Sequence, residues 1–211
     1  MGLDPGKKLI QHDRELGVRY VAGADEVGRG SLAGPLAAAA VVLDLNKLHG
    51  SRARVLADLR DSKQLDVAAR ERLLLAVLGL SELVVVETIP AREIDRCGLQ
   101  ESNLEALERA LRACVPPAEV CLVDGDFARG PGAPPYSAIV RGDGTSAAIA
   151  CASIVAKVVR DRMMRRLDAV YPVYGFADHV GYIPPAHSAA VRLHGPCAVH
   201  RLSFKAACYQ R

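Results

Sequence analysis

Two adjacent carboxylates, Asp25 and Glu26, stand near the end of an apolar run that begins at Tyr20, and Gly28-Arg29-Gly30 follows almost at once. A second apolar run, Leu36 to Leu43, returns behind that turn. Magnesium and manganese take hard oxygen ligands, usually a few carboxylates completed by substrate phosphate. A glycine-flanked arginine lets both backbone and guanidinium come close to a phosphate or a sugar. An Asp-Glu pair beside a glycine turn is, on its own, most often solvated turn chemistry. The other acids must decide. Val120 to Val123 reads as a short buried strand stopping at Asp124-Gly125, and strand-like Tyr136 to Val140 runs into Arg141-Gly142-Asp143-Gly144. Open α/β sheets place ligand-binding groups at such carboxyl ends. Four acids, Asp25, Glu26, Asp124 and Asp143, suit a two-metal site for phosphodiester chemistry.

The intervening sequence supplies the elements that would position them. Residues 7 to 17 read as a short polar helix closed by Gly17. Strands are expected over Val18 to Asp25 and, antiparallel to it, Pro35 to Leu43. A helix over Val67 to Leu78 would bury Ala68, Leu74, Leu75 and Leu78, with Asp61 or Ser62 as its cap. Glu82 to Ile89 is a β-branched strand, and two helical pieces, Ala91 to Cys97 and Leu99 to Ala113, are split by Gly98 and stopped by Pro116-Pro117. The loop over Arg129 to Pro135 cannot be helix or central strand. A long helix over Ser146 to Val170 carries an apolar face (Ala152, Val155, Ala156, Val159, Met163, Leu167, Val170) and a stripe of Ser153, Lys157, Arg160 and Met164 that could track a nucleic-acid backbone. One geometric condition applies. Neighbours in a regular strand face opposite sides, so Asp25 and Glu26 can share a site only if the strand ends, twists or bulges there.

The totals bound the rest. A chain of 211 residues, half of them apolar, can bury a sizeable core. Its longest apolar or glycine/proline run, Leu32 to Leu43, is twelve residues and is broken by Gly34 and Pro35, too short to span a bilayer. The first residues lack the apolar core of a signal peptide, so a cytoplasmic protein without membrane attachment is expected. Six scattered cysteines form no Cys-x-x-Cys pair and read as small core residues in a reducing compartment. Net charge is only +3, but Lys157, Arg160, Arg162, Arg165 and Arg166 surround a single Asp161, a local excess of positive charge. Four histidines, at 179, 187, 194 and 200, fall in the tail at no metal-binding spacing, and surface or capping roles are expected for them.

Across Val21 to Phe204 the motifs resemble bacterial ribonuclease HII, the type 2 ribonucleases H. They stand as Gly23-Ala-Asp25-Glu26-Val-Gly28-Arg29-Gly30, Asp61-Ser-Lys63-Gln-Leu65, Val123-Asp124-Gly125, Gly142-Asp143, Ala152-Ser153-Ile-Val-Ala156-Lys157-Val-Val-Arg160-Asp161, Tyr174-Gly-Phe176, His179, Gly181-Tyr182, His200-Arg201 and Ser203-Phe204. The resemblance implies an α/β RNase H-like fold: a five-stranded mixed sheet flanked by helices over residues 1 to 170, with a small helical C-terminal extension over 171 to 211. It implies that Asp25, Glu26, Asp124 and Asp143 are catalytic metal ligands for two Mg²⁺ or Mn²⁺ ions. Gly28-Arg29-Gly30 would sense the ribose 2′-hydroxyl that distinguishes RNA from DNA, and Tyr182 would pack on the sugar following the ribonucleotide. Lys63, Ser153 and Lys157 would contact the substrate backbone. The usual Lys before Gly-Tyr is Val180 here, and Ile183-Pro184-Pro185 replaces the Thr that commonly follows.

The implied substrate is an RNA/DNA hybrid or duplex DNA carrying ribonucleotides. The cut falls on the 5′ side of a ribonucleotide and leaves a 3′-hydroxyl and a 5′-phosphate, as ribonucleotide excision repair and RNA primer removal require. A monomer is expected. Two rivals differ in class: a noncatalytic hybrid-binding module of the same fold, and a type 1 ribonuclease H that needs a run of ribonucleotides.

Overall fold

The computed structural model describes residues 4–59, 65–126, 130 and 132–209. Its centre is a five-stranded sheet in the order β3-β2-β1-β4-β5. β1 (Tyr20–Val27), β2 (Leu36–Asp44) and β3 (Ser81–Ile89) form an antiparallel meander, and β4 (Val120–Asp124) and β5 (Ser137–Ile139) add in parallel to β1. This is the mixed sheet that the motifs lead one to expect. Around it lie α1 (Pro5–Arg14), α2 (Gly50–Val55), α3 (Val67–Leu80), α4 (Ala91–Cys97), α5 (Leu99–Arg112) and the long α6 (Ala147–Val170). The C-terminal part adds α7 (Phe176–His179) and α8 (Pro185–His194). No described helix is long and apolar enough to cross a membrane.

Strand parity divides the core. Val21, Ala39, Val41 and Leu43 point to the face covered by α6, while Ala22, Ala24, Ala38, Ala40 and Val42 point to the face covered by α5. All nine residues of β2 are buried, which explains its lack of alternation: both faces are covered, so neither needs polar side chains. A third apolar cluster joins Leu32 and Ala33, from the β1–β2 connection, to Met164 of α6 and to Tyr174, Phe176, Val191 and Cys208.

α6 is pinned at its start. Ser146 caps it by accepting from the Ile149 amide, and buried Asp13 of α1 accepts from the Ala148 amide at 2.9 Å. A buried carboxylate at a helix N-terminus gains from the helix dipole, although burial still raises the Asp13 pKa above its ordinary value. The helix also lies hard against β1. A Cβ built on Gly23 would stand 2.2 Å from the backbone of Ala148 and Ile149.

Three expectations need correction. The cap of α3 is Asp66, whose carboxylate accepts from Ala69 N at 2.7 Å, not Asp61 or Ser62, which fall outside the described residues. The buried face of α3 is Leu73, Leu74 and Val77, whereas Ala68, Leu75 and Leu78 are exposed; positions i, i+1 and i+4 share the inward face. On α6 the stripe of Ser153, Arg160 and Met164 is buried, because the sheet, α1, α3 and the C-terminal part enclose the helix from several sides.

The Gly23 approach yields a stability test. Gly23→Ala should lower stability by roughly 3 kcal/mol through overpacking, read as a fall in the urea midpoint. An unchanged midpoint would show that α6 is free to move off the sheet.

Candidate active site

The parallel register of β1 and β4 builds the site. Their ladder ends at the pair Ala24 and Val123, so the next residues, Asp25 and Asp124, emerge side by side at the carboxyl ends. β5, parallel and next in the sheet, ends at Ile139 and leads into a one-turn 3₁₀ segment, Gly142–Gly144, that carries Asp143. The Gly142 amide donates to Asp124 Oδ1 at 2.6 Å, tying this turn to the β4 terminus. The strand ends thus bring Asp25, Glu26 and Asp124 within electrostatic reach of one another, and the turn that carries Asp143 is tied to the same end of the sheet.

Glu26 tests the geometric condition set by strand alternation. β1 does not end or bulge before it, since the antiparallel register with β2 runs unbroken to Val27 and Ala37. What ends is the β4 ladder on the other side. Glu26 therefore sits on an unflanked corner of the sheet, where its side chain reaches the same cleft as Asp25 although its parity is opposite. One carboxylate oxygen lies 3.5 Å from Arg29 Nη1, and the other, Oε2, is buried without a hydrogen-bond partner.

The electrostatics tie these acids together. The Asp25 carboxyl is held well above its ordinary pKa, first by burial and then by the charge of Glu26; a hydrogen bond from Ser153 opposes this, and Asp124 adds to it. Burial also raises Glu26, Arg29 opposes the shift, and Asp124 reinforces it. Mutually repelling carboxylates with an orphaned buried oxygen fit a hard divalent cation. Among the described residues no three acidic, histidine or cysteine side chains form a finished metal cage.

Asp25, Glu26 and Val27 line a cleft of ≈ 340 Å³ with Arg70, Ser153, Lys157 and Tyr182. Lys157 pairs with Asp161 at 2.8 Å as well as facing the cleft. Tyr182 is 42% exposed, and its ring comes within 3.9 Å of where a Cβ on exposed Gly30 would stand. The Gly28-Arg29-Gly30 turn and Tyr182 therefore flank one opening above the acids. Lys63 falls outside the described residues.

Two buried arginines shape that opening. Arg160 donates to the carbonyls of Ala33, Pro35 and Val180, and Arg201 to those of Gly34 and Arg29, the last at 2.9 Å. Gly28, at φ +89°, has no room for a side chain: a Cβ there would meet Arg160 Nε at 2.1 Å. Val180 is itself left-handed, at φ +45°, a costly conformation for a β-branched residue, and Arg160 holds its carbonyl at 2.8 Å.

The basic run on α6 is accordingly not the open surface the sequence suggests. Arg160 is fully buried, Lys157 is paired with Asp161, and Arg162 is paired with Glu71. Arg165 and Arg166 are exposed. The sequence also gave no signal for Arg70 in the cleft or for Gln100, which accepts from Arg29 Nη2 at 3.1 Å. Both lie on helices remote in sequence from the acids.

With the geometry established, the similarities to known proteins are informative. The chain matches the family model for Ribonuclease HII over residues 22–207. It is 44% identical to Ribonuclease HII of Rhizobium johnstonii, covering 96% of this chain and 85% of that protein. It is 47% identical to Ribonuclease HII of Salinispora tropica, covering 96% and 76%. Among solved structures, ribonuclease H2 from Pyrococcus horikoshii OT3 superposes with a TM-score of 0.74 at 26% identity, covering 88% of this chain and 94% of that one.

The raised carboxyl pKa values predict how stability depends on pH. An acid whose pKa is higher in the fold than in the unfolded chain costs stability as pH rises from about 4, its unfolded value, through the folded one. With a chelator present, Glu26→Gln should therefore melt above the wild type at pH 8, and the gap should close toward pH 4. Adding Mg²⁺ should raise the wild-type melting temperature more than that of the variant. A variant that melts lower at pH 8 in chelator would show that the acids do not repel one another.

Proposed function

The chain belongs to the ribonuclease HII family, a metal-dependent type 2 ribonuclease H and endonuclease acting on RNA/DNA hybrids, and on that premise we propose that it also cuts beside single ribonucleotides embedded in duplex DNA. One observation carries the finer reading: Gly30 and Tyr182 flank the mouth of the cleft whose wall is Asp25 and Glu26. A group that inspects a sugar and the groups that would cut its phosphate are then a single nucleotide's reach apart.

In this reading Asp25, Glu26, Asp124 and Asp143 hold two Mg²⁺ or Mn²⁺ ions. When bound, such ions supply Lewis-acid activation of water and stabilise the leaving 3′-oxygen. The protein's own part is placement. Ser153 fixes the Asp25 carboxylate by a hydrogen bond, and Gly142 N fixes that of Asp124. Exposed Gly30, with no side chain, lets a ribose approach the backbone so that its 2′-hydroxyl meets the turn. Arg201 keeps the Arg29 carbonyl turned inward and Arg160 backs Gly28, so the turn holds its shape before substrate arrives. The Tyr182 ring packs on the following sugar, where a deoxyribose fits and a 2′-hydroxyl crowds. Lys157 steers a substrate phosphate at the expense of part of its pairing with Asp161, and Lys63 and Ser153 complete the backbone contacts. The products carry a 3′-hydroxyl and a 5′-phosphate, the ends needed in ribonucleotide excision repair and RNA primer removal. The protein works as a cytoplasmic monomer.

A noncatalytic hybrid-binding module would have no use for repelling acids in a cleft, and a type 1 enzyme would not need Tyr182 at the mouth. A duplex with one embedded ribonucleotide, assayed with Mg²⁺ or Mn²⁺, separates the three readings. The wild type should nick 5′ of the ribonucleotide, and Asp124→Asn should lower the rate by at least about a hundredfold. Cleavage that survives the substitution removes the metal-site assignment. Binding without cleavage favours the module, and cleavage only of longer hybrids favours type 1.

A further inference from the structure

The two most buried histidines of the tail are neither on the surface nor at helix caps, as their spacing suggested. His187 is fully buried and His200 is 2% exposed. They form a continuous path. The Cys197 amide lies 3.0 Å from His200 Nδ1, His200 Nε2 lies 3.1 Å from His187 Nε2, and His187 Nδ1 lies 2.5 Å from the carbonyl oxygen of Tyr182.

Both ends of this path are backbone groups with one possible role each, so the protons along it are determined. An amide can only donate, so His200 Nδ1 accepts and its proton is on Nε2. A carbonyl can only accept, so His187 Nδ1 donates and its Nε2 accepts from His200. The direction is Cys197 N–H to His200, His200 to His187, and His187 to Tyr182.

We propose that His187 and His200 are positioning residues for Tyr182, holding its backbone through this one-way chain so that the ring stands at the cleft mouth. The proposal rests on the reading of Tyr182 as the group that packs on the sugar after the ribonucleotide. A second histidine supports the same loop from the other side: His179 Nδ1 accepts from the Gly181 amide at 3.2 Å, and the His179 carbonyl accepts from the Tyr182 amide at 3.0 Å. Tyr182 is thereby held at both its N–H and its C=O.

The chain exists only while both rings are neutral. A second proton on His200 would face the Cys197 N–H, and one on His187 would face His200 Nε2–H. The surroundings keep them neutral. The rings facing them are Tyr174, Phe176, Tyr209 and His179, the last stacked on His187 at 4.4 Å, and the Cys197 sulfur is 3.1 Å from His200 Nδ1. None of these is an anion that would favour imidazolium. Burial, then the neighbouring His187, pushes His200 down to about 4, and burial lowers His187 as well.

The test compares a duplex carrying one embedded ribonucleotide with a continuous RNA/DNA hybrid. His187→Phe fills the site but removes the donor, and should lower kcat/KM on the embedded ribonucleotide about fivefold relative to the hybrid, the equivalent of one hydrogen bond. His187→Asn, which restores a donor at the Nδ1 position, should recover the ratio. In a Tyr182→Ala background His187→Phe should change the ratio no further. Nitrogen-15 NMR of the wild-type imidazoles at neutral pH should show protons on His187 Nδ1 and His200 Nε2. Equal losses on both substrates, no rescue by Asn, or the opposite tautomers would overturn the chain. If Tyr182→Ala itself leaves the ratio unchanged, the sugar-packing reading of Tyr182 fails; the tautomers then still report on the chain by itself.

Discussion

The cleft depends on two guanidinium groups satisfied by backbone carbonyls. Arg160 and Arg201 are fully buried, and the connection between β1 and β2 supplies most of their acceptors: Arg29, Ala33, Gly34 and Pro35. A buried cation must find partners or it destabilises the fold by several kcal/mol. Here the partners are the turn itself, so satisfying the charge and shaping the loop are one event. Burial, and in Arg201 the nearby Arg160, lowers both pKa values, with Arg201 brought to about 10. Both guanidinium groups remain charged at neutral pH. Without them the carbonyls of Arg29, Ala33, Gly34 and Pro35 would have to find other donors, and the opening opposite Tyr182 would lose its frame.

The acids obey a different constraint. The parallel pairing of β1 with β4 sets Asp25 beside Asp124, and the missing ladder beyond Ala24 lets Glu26 join them. Repulsion among them is built into the fold and is opposed by fixed groups that include Ser153 and the Glu26 N–H on Asp25, Gly142 N on Asp124 and Arg29 on Glu26. A site that is electrostatically strained in isolation is one that gains most from a cation arriving with its substrate.

Much of this was legible in the sequence. β1 and β4 stood out because each is an apolar run ended by acids and glycine, β3 because it is rich in β-branched residues, and Gly98 and the proline pair punctuated the helices. The motifs around Asp25, Asp124 and Asp143 carried the resemblance, and the fold and family follow it. What could not be read were properties of side-chain surroundings. Arg160 and Lys157 sit one turn apart on α6, yet one is sealed inside and the other lines the cleft; only the packing of the C-terminal part against the helix decides which. His187 and His200 have no ligand spacing because their partners are backbone groups and each other. Leu75 and Leu78 looked like core and are exposed, since in a helix rich in leucine periodicity fixes no unique inward face.

The bonds from Arg201 to the loop at residues 29 and 34 span more than 160 positions of the chain. Synthesis proceeds from the N-terminus, so the sheet, α5 and α6 can assemble while the tail is still unmade. The loop opposite the acids cannot take its final shape until residue 201 has emerged. The strand ends that carry the acids are therefore synthesised before the group that fixes the loop facing them. An order of assembly in which the facing loop is fixed last makes its shape depend on the arrival of Arg201, rather than on the folding of the sheet alone.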